Sequence, residues 1–535
     1  MKGVKEPEIA KNAENDLVRC AEYLADPRNI NLNKMGSPQD DWRKREHPRV
    51  TIALAKGYIE LGMNDKALEK LDAAYKEVLS GYETTKYDAS DHRMLLDIAE
   101  QLMRIEKKDK AIEILDYAAS KSHLLWTGSN PQSADIINLY RAYYKAGEIK
   151  KAEKVFNEIP FQPSFQGNEP TRFSAKRAYF DCLIVQGKYD DVLNNPSAPD
   201  KNRNKDILIF SIVNEEQNSG NYKSALEYIK KIQDLNWRIS LIARLVNTKI
   251  DDEEYGAELD RTIDACVNDA AGYTEPERIV QGVCGIAEIY MSNGKEERGR
   301  AVLQNIVQYT NKIDDKKSKE KAKWLIATTY ANLGDFENAL KIKPSRSTVD
   351  DKYGYFPAQI YIAATAVGYA RNGDYDKAMK VAREHNNKYK KSPHDFLVEI
   401  AKVIIKRGDY DKAYSILETA YDTRWKDEHD YRNVLSIITT PKEYYFVECP
   451  KMFIDVNRVD LAIKCLRFIE SKRMEESDIV ETLMMIEKKR REIGYALKDS
   501  DKAVLRGIIH SDNMFASYNR NFVEQGGLSE VTIEI

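Results

Sequence analysis

Apolar residues recur along most of this chain at helical spacing, in paired bursts separated by short polar turns. The first clear burst is Leu54, Tyr58 and Leu61, which fall on one helical face, with the small Ala55 where a neighbouring helix would approach closely. Gly62 then ends the helix, because glycine adopts a left-handed cap without a Cβ penalty. Ala67, Leu71 and Ala74 form the inner stripe of a second helix. The pattern predicts two short helices joined by a tight turn.

The same order of residue types returns along the chain, and the recurrence is what gives it weight. It is clear at Tyr143, Gly147, Ala152 and Phe156, at Ala287, Tyr290, Gly294, Gly299 and Leu303, and at Ala327, Tyr330, Gly334 and Ala339. Ala366, Tyr369, Gly373 and Ala378 follow, then Ala401, Ile404, Gly408, Ala413, Leu417 and Ala420. Weaker copies centre on Ala99 and Ala111, on Gly187, on Gly220 and Ala225, and on Ala462 and Leu466.

These positions, with the turns Gly334-Asp335-Phe336, Gly373-Asp374-Tyr375 and Gly408-Asp409-Tyr410, resemble the signature of the tetratricopeptide repeat (TPR) family over residues 48–475. The resemblance implies an all-α, right-handed α-solenoid of roughly ten to twelve TPR-like hairpins. Equivalent alanines lie from about 35 residues apart (Ala378 to Ala413) to nearly 50 (Ala413 to Ala462), against a family period of about 34, so the superhelix is expected to be irregular. Residues 236–271 fit poorly but still allow a helical pair through Ile242, Leu245, Leu259, Ile263 and Cys266. A hairpin cannot bury its apolar faces alone, so residues 48–475 read as one stacked array, with the loops near Pro160, Pro196 and Pro344 as connections. Residues 1–47 hold a predicted helix from Glu14 to Leu24 and a polar loop through Gly36-Ser37-Pro38. Residues 476–535 read as capping helices, Ile479 to Leu497 among them, with a frayed or extended tail.

At 535 residues, 42% hydrophobic and 32% charged, the chain is rich enough in apolar side chains to fold and too charged to span a membrane. Its longest weakly polar run, Ile360 to Ala370, is shorter than the roughly 20 residues of a membrane helix. The first residues lack the apolar core of a signal peptide, so a cytoplasmic protein is expected unless a leader has been removed. A formal charge of −3 supplies no global field toward nucleic acid, which leaves local charge as the means of recognition. The six cysteines have no metal-ligand spacing and read as buried thiols.

No phosphate loop, zinc-helix motif or nucleophile elbow is present, and no two of the seven histidines lie four residues apart. Asp251 to Glu254 and the pair Asp314-Asp315 lack the glycine and alternating oxygens of a calcium loop, so they read as solvated charge. The lysines from Lys316 to Lys323 read as a charged helix start, and Tyr58, Tyr143, Tyr290, Tyr330 and Tyr369 as packing between helices. No catalytic residue, cofactor or metal is expected.

In the family the first helices line a concave face that takes the ligand. Carried over in register, this face includes Arg141, Lys145 and Arg177 in the first half, and Glu288, Trp324, Asn332, Arg371, Lys402, Lys406 and Lys451 in the second. Most of its charges are basic although the chain is slightly acidic, which implies a partner of acidic character. The lysines and asparagines with which some family members clamp a chaperone's C-terminal carboxylate are not reproduced. The expected function is a non-catalytic scaffold or assembly subunit holding a protein or peptide, with self-association left open. The alternative is an RNA-binding helical-repeat protein, and a third reading is an enzyme or regulator whose site has no motif.

Overall fold

The computed structural model describes residues 16–26, 41–82, 89–122, 133–159, 169–195, 202–248, 253–269, 276–343, 357–389, 394–427, 444–469 and 476–510. Among them are 25 α-helices, one short 3-10 helix and no strand, arranged as tandem helical hairpins of the α-solenoid class. They fall into two compact units. Unit 1 lies within Met1–Ala178, Gly408–Tyr421 and Asp430–Ile535, and unit 2 within Tyr179–Arg407 and Asp422–His429.

The turn between the helices of a hairpin is the most regular feature. Gly62, Gly147, Gly187, Gly220, Gly294, Gly334, Gly373 and Gly408 all have φ between 72° and 85°. The next amide closes a six-residue cap, as in Met63 N–H to the Tyr58 carbonyl at 2.8 Å and Asp335 N–H to the Tyr330 carbonyl at 2.9 Å. Two hairpins that lack the glycine place Glu106 and Asn457 in the same slot, each at φ 61°. The Gly-Asp turns have a second function, since Asp335 Oδ1 accepts from Asn338 N–H and caps the following helix. Behind each turn the small positions are sealed: Ala67, Ala378 and Ala413 are 0% exposed and Ala152 is 1%.

Local signals also set the ends of the less regular elements. The N-terminal helix is Leu17–Leu24, because the Asp16 carboxylate caps the amides of Val18 and Arg19; Glu14 lies outside the described residues. The poorly fitting region holds Leu235–Val246, capped by Asp234, and Glu253–Asp269. The expected capping helix Ile479 to Leu497 is Glu476–Ile493, which stops at Gly494, φ 67°, and a further helix, Asp499–His510, follows it. The proline loops near 160–168, 196–199 and 344, the loop at 36–38 and the last ten residues lie outside the described residues.

In unit 1, helix Glu476–Ile493 packs along both Leu17–Leu24 and Asp41–Glu60, so segments from the two ends of the chain share one core. Gly57 leaves room for Met484, and Lys488 Nζ donates to Glu60 Oε2 at 2.7 Å. In unit 2, the first helices Leu235–Val246, Pro276–Ser292, Lys316–Asn332, Pro357–Arg371 and His394–Lys406 pack side by side in succession. Gly368 is the closest approach in that layer: a Cβ there would strike the Ala331 carbonyl.

A polar tie repeats between hairpins. Tyr143 Oη and Lys151 Nζ both donate to Asp116 Oδ1, at 2.8 and 2.9 Å, on the second helix of the preceding hairpin. Tyr290 donates to Asp260 at 2.5 Å while Arg298 pairs with it at 3.3 Å, and Tyr58 and Lys66 both donate to Glu22. In each case the cation follows its tyrosine by eight residues. One helical hairpin thus grips a carboxylate of its neighbour with both of its helices. Burial, and then the carboxylate, raise all three phenols well above their ordinary range, which keeps them donors.

Candidate functional site

The first helices of unit 2 bring polar side chains from four successive hairpins to one seam. Glu288 on Pro276–Ser292 accepts from Asn332 Nδ2 on Lys316–Asn332 at 3.2 Å. Burial raises the Glu288 carboxyl, and the Asn332 hydrogen bond and the charge of Arg371 only partly offset this, while Glu399 raises it further. Glu399 in turn accepts from Lys402 at 2.7 Å on the same helix. Along the seam Arg371 thus lies between the carboxylates Glu288 and Glu399 in helix order.

At its edge, where the first helices end, a cavity of about 350 Å³ opens against the hairpin turns. Arg371 and Lys406 reach it from the last turns of Pro357–Arg371 and His394–Lys406, Arg407 from the turn that follows, and Arg300 from helix Glu296–Asn311. Among the described residues Glu296 and Asp335 are its two carboxylates, so four cationic groups leave an excess of two positive charges. Apolar walls come from Met291, Leu333 and Val403. Basic residues at helix C-termini complement the helix dipole, which accounts for the position of Arg371 and Lys406. Arg371 Nε is buried and has no hydrogen-bond partner among the described residues. Lys406 is exposed and has no ion pair among them. Arg300 is engaged loosely, with Asp335 at 3.4 Å.

The wall is held in place by side chain to backbone bonds. Arg407 donates from Nη1 to the Arg371 carbonyl, and Asn372 donates from Nδ2 to the Gly334 carbonyl at 3.0 Å. Each turn is thereby tied to the one before it.

The other residues projected onto the ligand face have different surroundings. Trp324, projected as a groove residue, is only 4% exposed. Its ring meets Tyr361 edge-on at 5.8 Å and lies under Lys343 Nζ, and these neighbours close over it. Its indole Nε1 has no partner among the described residues. Lys402 is paired with Glu399, and Lys451, in unit 1, with Glu448 at 3.2 Å. Arg141 and Arg177 are half-buried on Ser133–Lys145 and Glu169–Val185, while Lys145 is exposed at the end of its helix; all three belong to unit 1. Of the projected cations, the structure joins Arg371 and Lys406 at one cavity.

Arg300 and Arg407 were not anticipated. Arg300 lies on a second helix, and Arg407 lies in a turn whose left-handed glycine, rather than helical register, sets its direction. The six cysteines are all buried, and burial pushes the thiols of Cys20 and Cys284 up to about 12, which leaves them protonated. Asp315 caps helix Lys316–Asn332 through Ser318 N–H at 2.7 Å, and no group of three or more His, Cys, Asp and Glu side chains placed to hold a metal ion occurs among the described residues. No helix among them is long and apolar enough to cross a membrane.

A family model described as a PPR repeat matches residues 141–160, the end of helix Ser133–Lys145 together with helix Ile149–Glu158. The chain is a helical-repeat protein. No curated protein matches it. Similar solved structures include a circular tandem repeat protein with novel repeat topology, at 11% identity over 92% of this chain and 100% of that one, TM-score 0.20. Naa15/Naa10 bound to HypK-THB is 11% identical over 93% and 95%, TM-score 0.25. The pentatricopeptide repeat protein PPR10 from maize is 12% identical over 97% and 74%, TM-score 0.24. Scores this low carry no argument about how this chain acts.

Proposed function

We propose that this chain is a non-catalytic scaffold that holds an anionic segment of a protein partner at the first helices of unit 2. The observation that carries the reading is the buried Nε–H of Arg371, a donor with no acceptor among the described residues, in a cavity with excess positive charge. Leaving such a donor unmatched costs about 1–3 kcal/mol, so a ligand that supplies the acceptor relieves the penalty when it binds. Lys406 beside it adds a cation that no intramolecular acid neutralises among the described residues. The assignment of the hairpins to the TPR type belongs to the same proposal, and the left-handed turn glycines with sealed alanines behind them support it.

The test is affinity purification from native extract with the wild type and with Arg371→Gln/Lys406→Gln, reading co-eluting proteins by mass spectrometry. The expected result is a partner retained by the wild type and lost by the double variant. A partner that survives both the substitutions and high salt would place binding elsewhere. The PPR match over 141–160 favours a second reading, RNA binding, because repeats of that type read single-stranded RNA one base per helical repeat. Salt-dependent anisotropy with single-stranded RNA, compared between the wild type and Arg141→Gln/Lys145→Gln, checks it.

A further inference from the structure

We infer that the cavity at Arg371 is a phosphoryl-group site, so that the partner segment engages it through a phosphorylated side chain; this rests on the scaffold reading above. Charge is the first argument. A carboxylate brings one negative charge, whereas a phosphorylated serine or threonine brings about −1.5 to −2 at neutral pH, which matches the excess of two positive charges around the cavity.

The distribution of that charge is the second. A long acidic segment would need a stripe of available cations along the first helices. Lys402, Lys451 and Lys56 are each held by an acid of the protein itself: Glu399, Glu448 and Asp97. Available positive charge gathers instead where Arg371, Lys406 and Arg407 converge, and a single dense anion fits that better than a run of dilute ones. Arginine is also the side chain whose planar fork matches phosphate oxygens in pairs.

The shape of the cavity agrees with its charge. About 350 Å³ is at the lower end of ligand pockets, enough for a phosphoryl group with the side chain that bears it, and Met291, Leu333 and Val403 supply an apolar wall for the methylene or methyl beside it. Sequence-tolerant RNA binding relies on exposed aromatic platforms. Among the described residues the one aromatic ring in the lining, Tyr330, is 6% exposed, which disfavours a stacked base. Arg407 is also fixed in advance, since its guanidinium is anchored on the Arg371 carbonyl.

The experiment measures binding of inorganic phosphate to the full chain by calorimetry. It then measures retention of a degenerate phosphoserine peptide library against its serine and aspartate counterparts and against 5′-phosphorylated single-stranded RNA. Phosphate is expected to bind at one site, with affinity falling about tenfold or more in Lys406→Gln and in Arg371→Gln and staying unchanged in Lys402→Gln. Phosphoserine peptides are expected to bind at least about tenfold tighter than the aspartate set. Lys406 is exposed, so its variant reports even if Arg371→Gln folds poorly, and circular dichroism verifies both. Equal binding of aspartate and phosphoserine peptides overturns the phosphoryl assignment while leaving an acidic protein partner in place. Failure of phosphate to bind the folded protein overturns it as well. RNA that displaces phosphate from the site while no peptide binds overturns both this inference and the protein-scaffold reading.

Discussion

Two cavities of nearly the same size differ in how their polar groups are answered. In unit 1, a half-open cavity of about 340 Å³ lies beside His47, whose Nδ1 lies 2.6 Å from Glu77 Oε2 and whose Nε2 lies 3.2 Å from the Ala25 carbonyl. Two acceptors on the two ring nitrogens suit the imidazolium, and Glu22, on the rim, already accepts from Tyr58 and Lys66. In unit 2, the cavity at Arg371 has a buried donor with nothing to donate to and an unpaired lysine among the described residues. Volume does not separate the two; hydrogen-bond satisfaction does. The first cavity is a joint that holds helix Leu17–Leu24 to the hairpin Asp41–Glu60 and Asn64–Tyr82, whereas the second keeps a buried donor unmatched among the described residues.

That contrast predicts unequal responses to removing the central side chain. His47→Ala deletes both bonds and leaves Glu77 without its cation, so urea unfolding should show a loss of about 1–3 kcal/mol, moderated by the partial exposure of Glu77. Arg371→Met removes a donor that is unmatched among the described residues and replaces it with an apolar chain of similar length. Its stability should fall by less than that of His47→Ala, because the lost charge acting on Glu288 is offset by removal of the unmatched donor. Phosphate binding should be lost all the same. If Arg371→Met destabilises as much as His47→Ala, the guanidinium is a structural anchor and the contrast fails.

The histidines of unit 1 sharpen the comparison through pH. Burial works against a charged His47, but the Glu77 hydrogen bond and charge, the Ala25 carbonyl and Asp26 together outweigh it and raise its pKa above the usual value. Its contribution to stability is therefore complete below about 6.5, the unfolded value, and is lost as pH rises through the raised folded value. His92 is 0% exposed, and burial lowers it to about 4 despite the charge of Asp135 and a backbone hydrogen bond there, with Arg93 adding to the fall. Its contribution is present above about 6.5 and is lost as pH falls toward about 4. Urea midpoints measured from pH 4 to 8 should fall less steeply toward acid in His92→Gln and less steeply toward alkali in His47→Gln. Identical slopes in the two variants would refute the assigned environments.

The fold was legible because its turns make a demand that only a few residue types meet. Eight of the hairpin turns use glycine in the left-handed region, and the faint repeats around Ala99 and Ala462 are those with Glu106 and Asn457 in that slot. The polar ties were not legible. Spacing shows the tyrosines as packing alone, since the carboxylates they grip, Glu22, Asp116 and Asp260, lie 27 to 36 residues upstream at no fixed offset. Register put Arg371 and Lys406 on first helices but could not foresee Arg407, which a turn directs, or the neighbours that close over Trp324. One signal was present and unused. Lys402 and Lys451 each follow an acid by three residues, the spacing of neighbours on a helix surface, which marks both as paired rather than available.

The smallest predicted effect tests whether the seam tunes the cavity. Glu288 is the carboxylate on which the charge of Arg371 acts, and while ionised it competes with any anion for that guanidinium. Glu288→Gln keeps an acceptor for Asn332 but removes the charge, so anion affinity at neutral pH should rise by a factor of roughly two to five, the range of a partly exposed ion pair. Sulfate is the suitable probe because its charge stays constant where the second ionisation of phosphate, near 6, would confuse the result. The raised pKa of Glu288 sets the sign of the pH dependence. As pH falls through that value the wild-type carboxyl takes up its proton, becomes neutral like the glutamine, and the two proteins should converge. A gain in Glu288→Gln that persists undiminished in acid would mean that the substitution acts by reshaping the seam, and the charge of Glu288 would then have no part in setting the strength of the site.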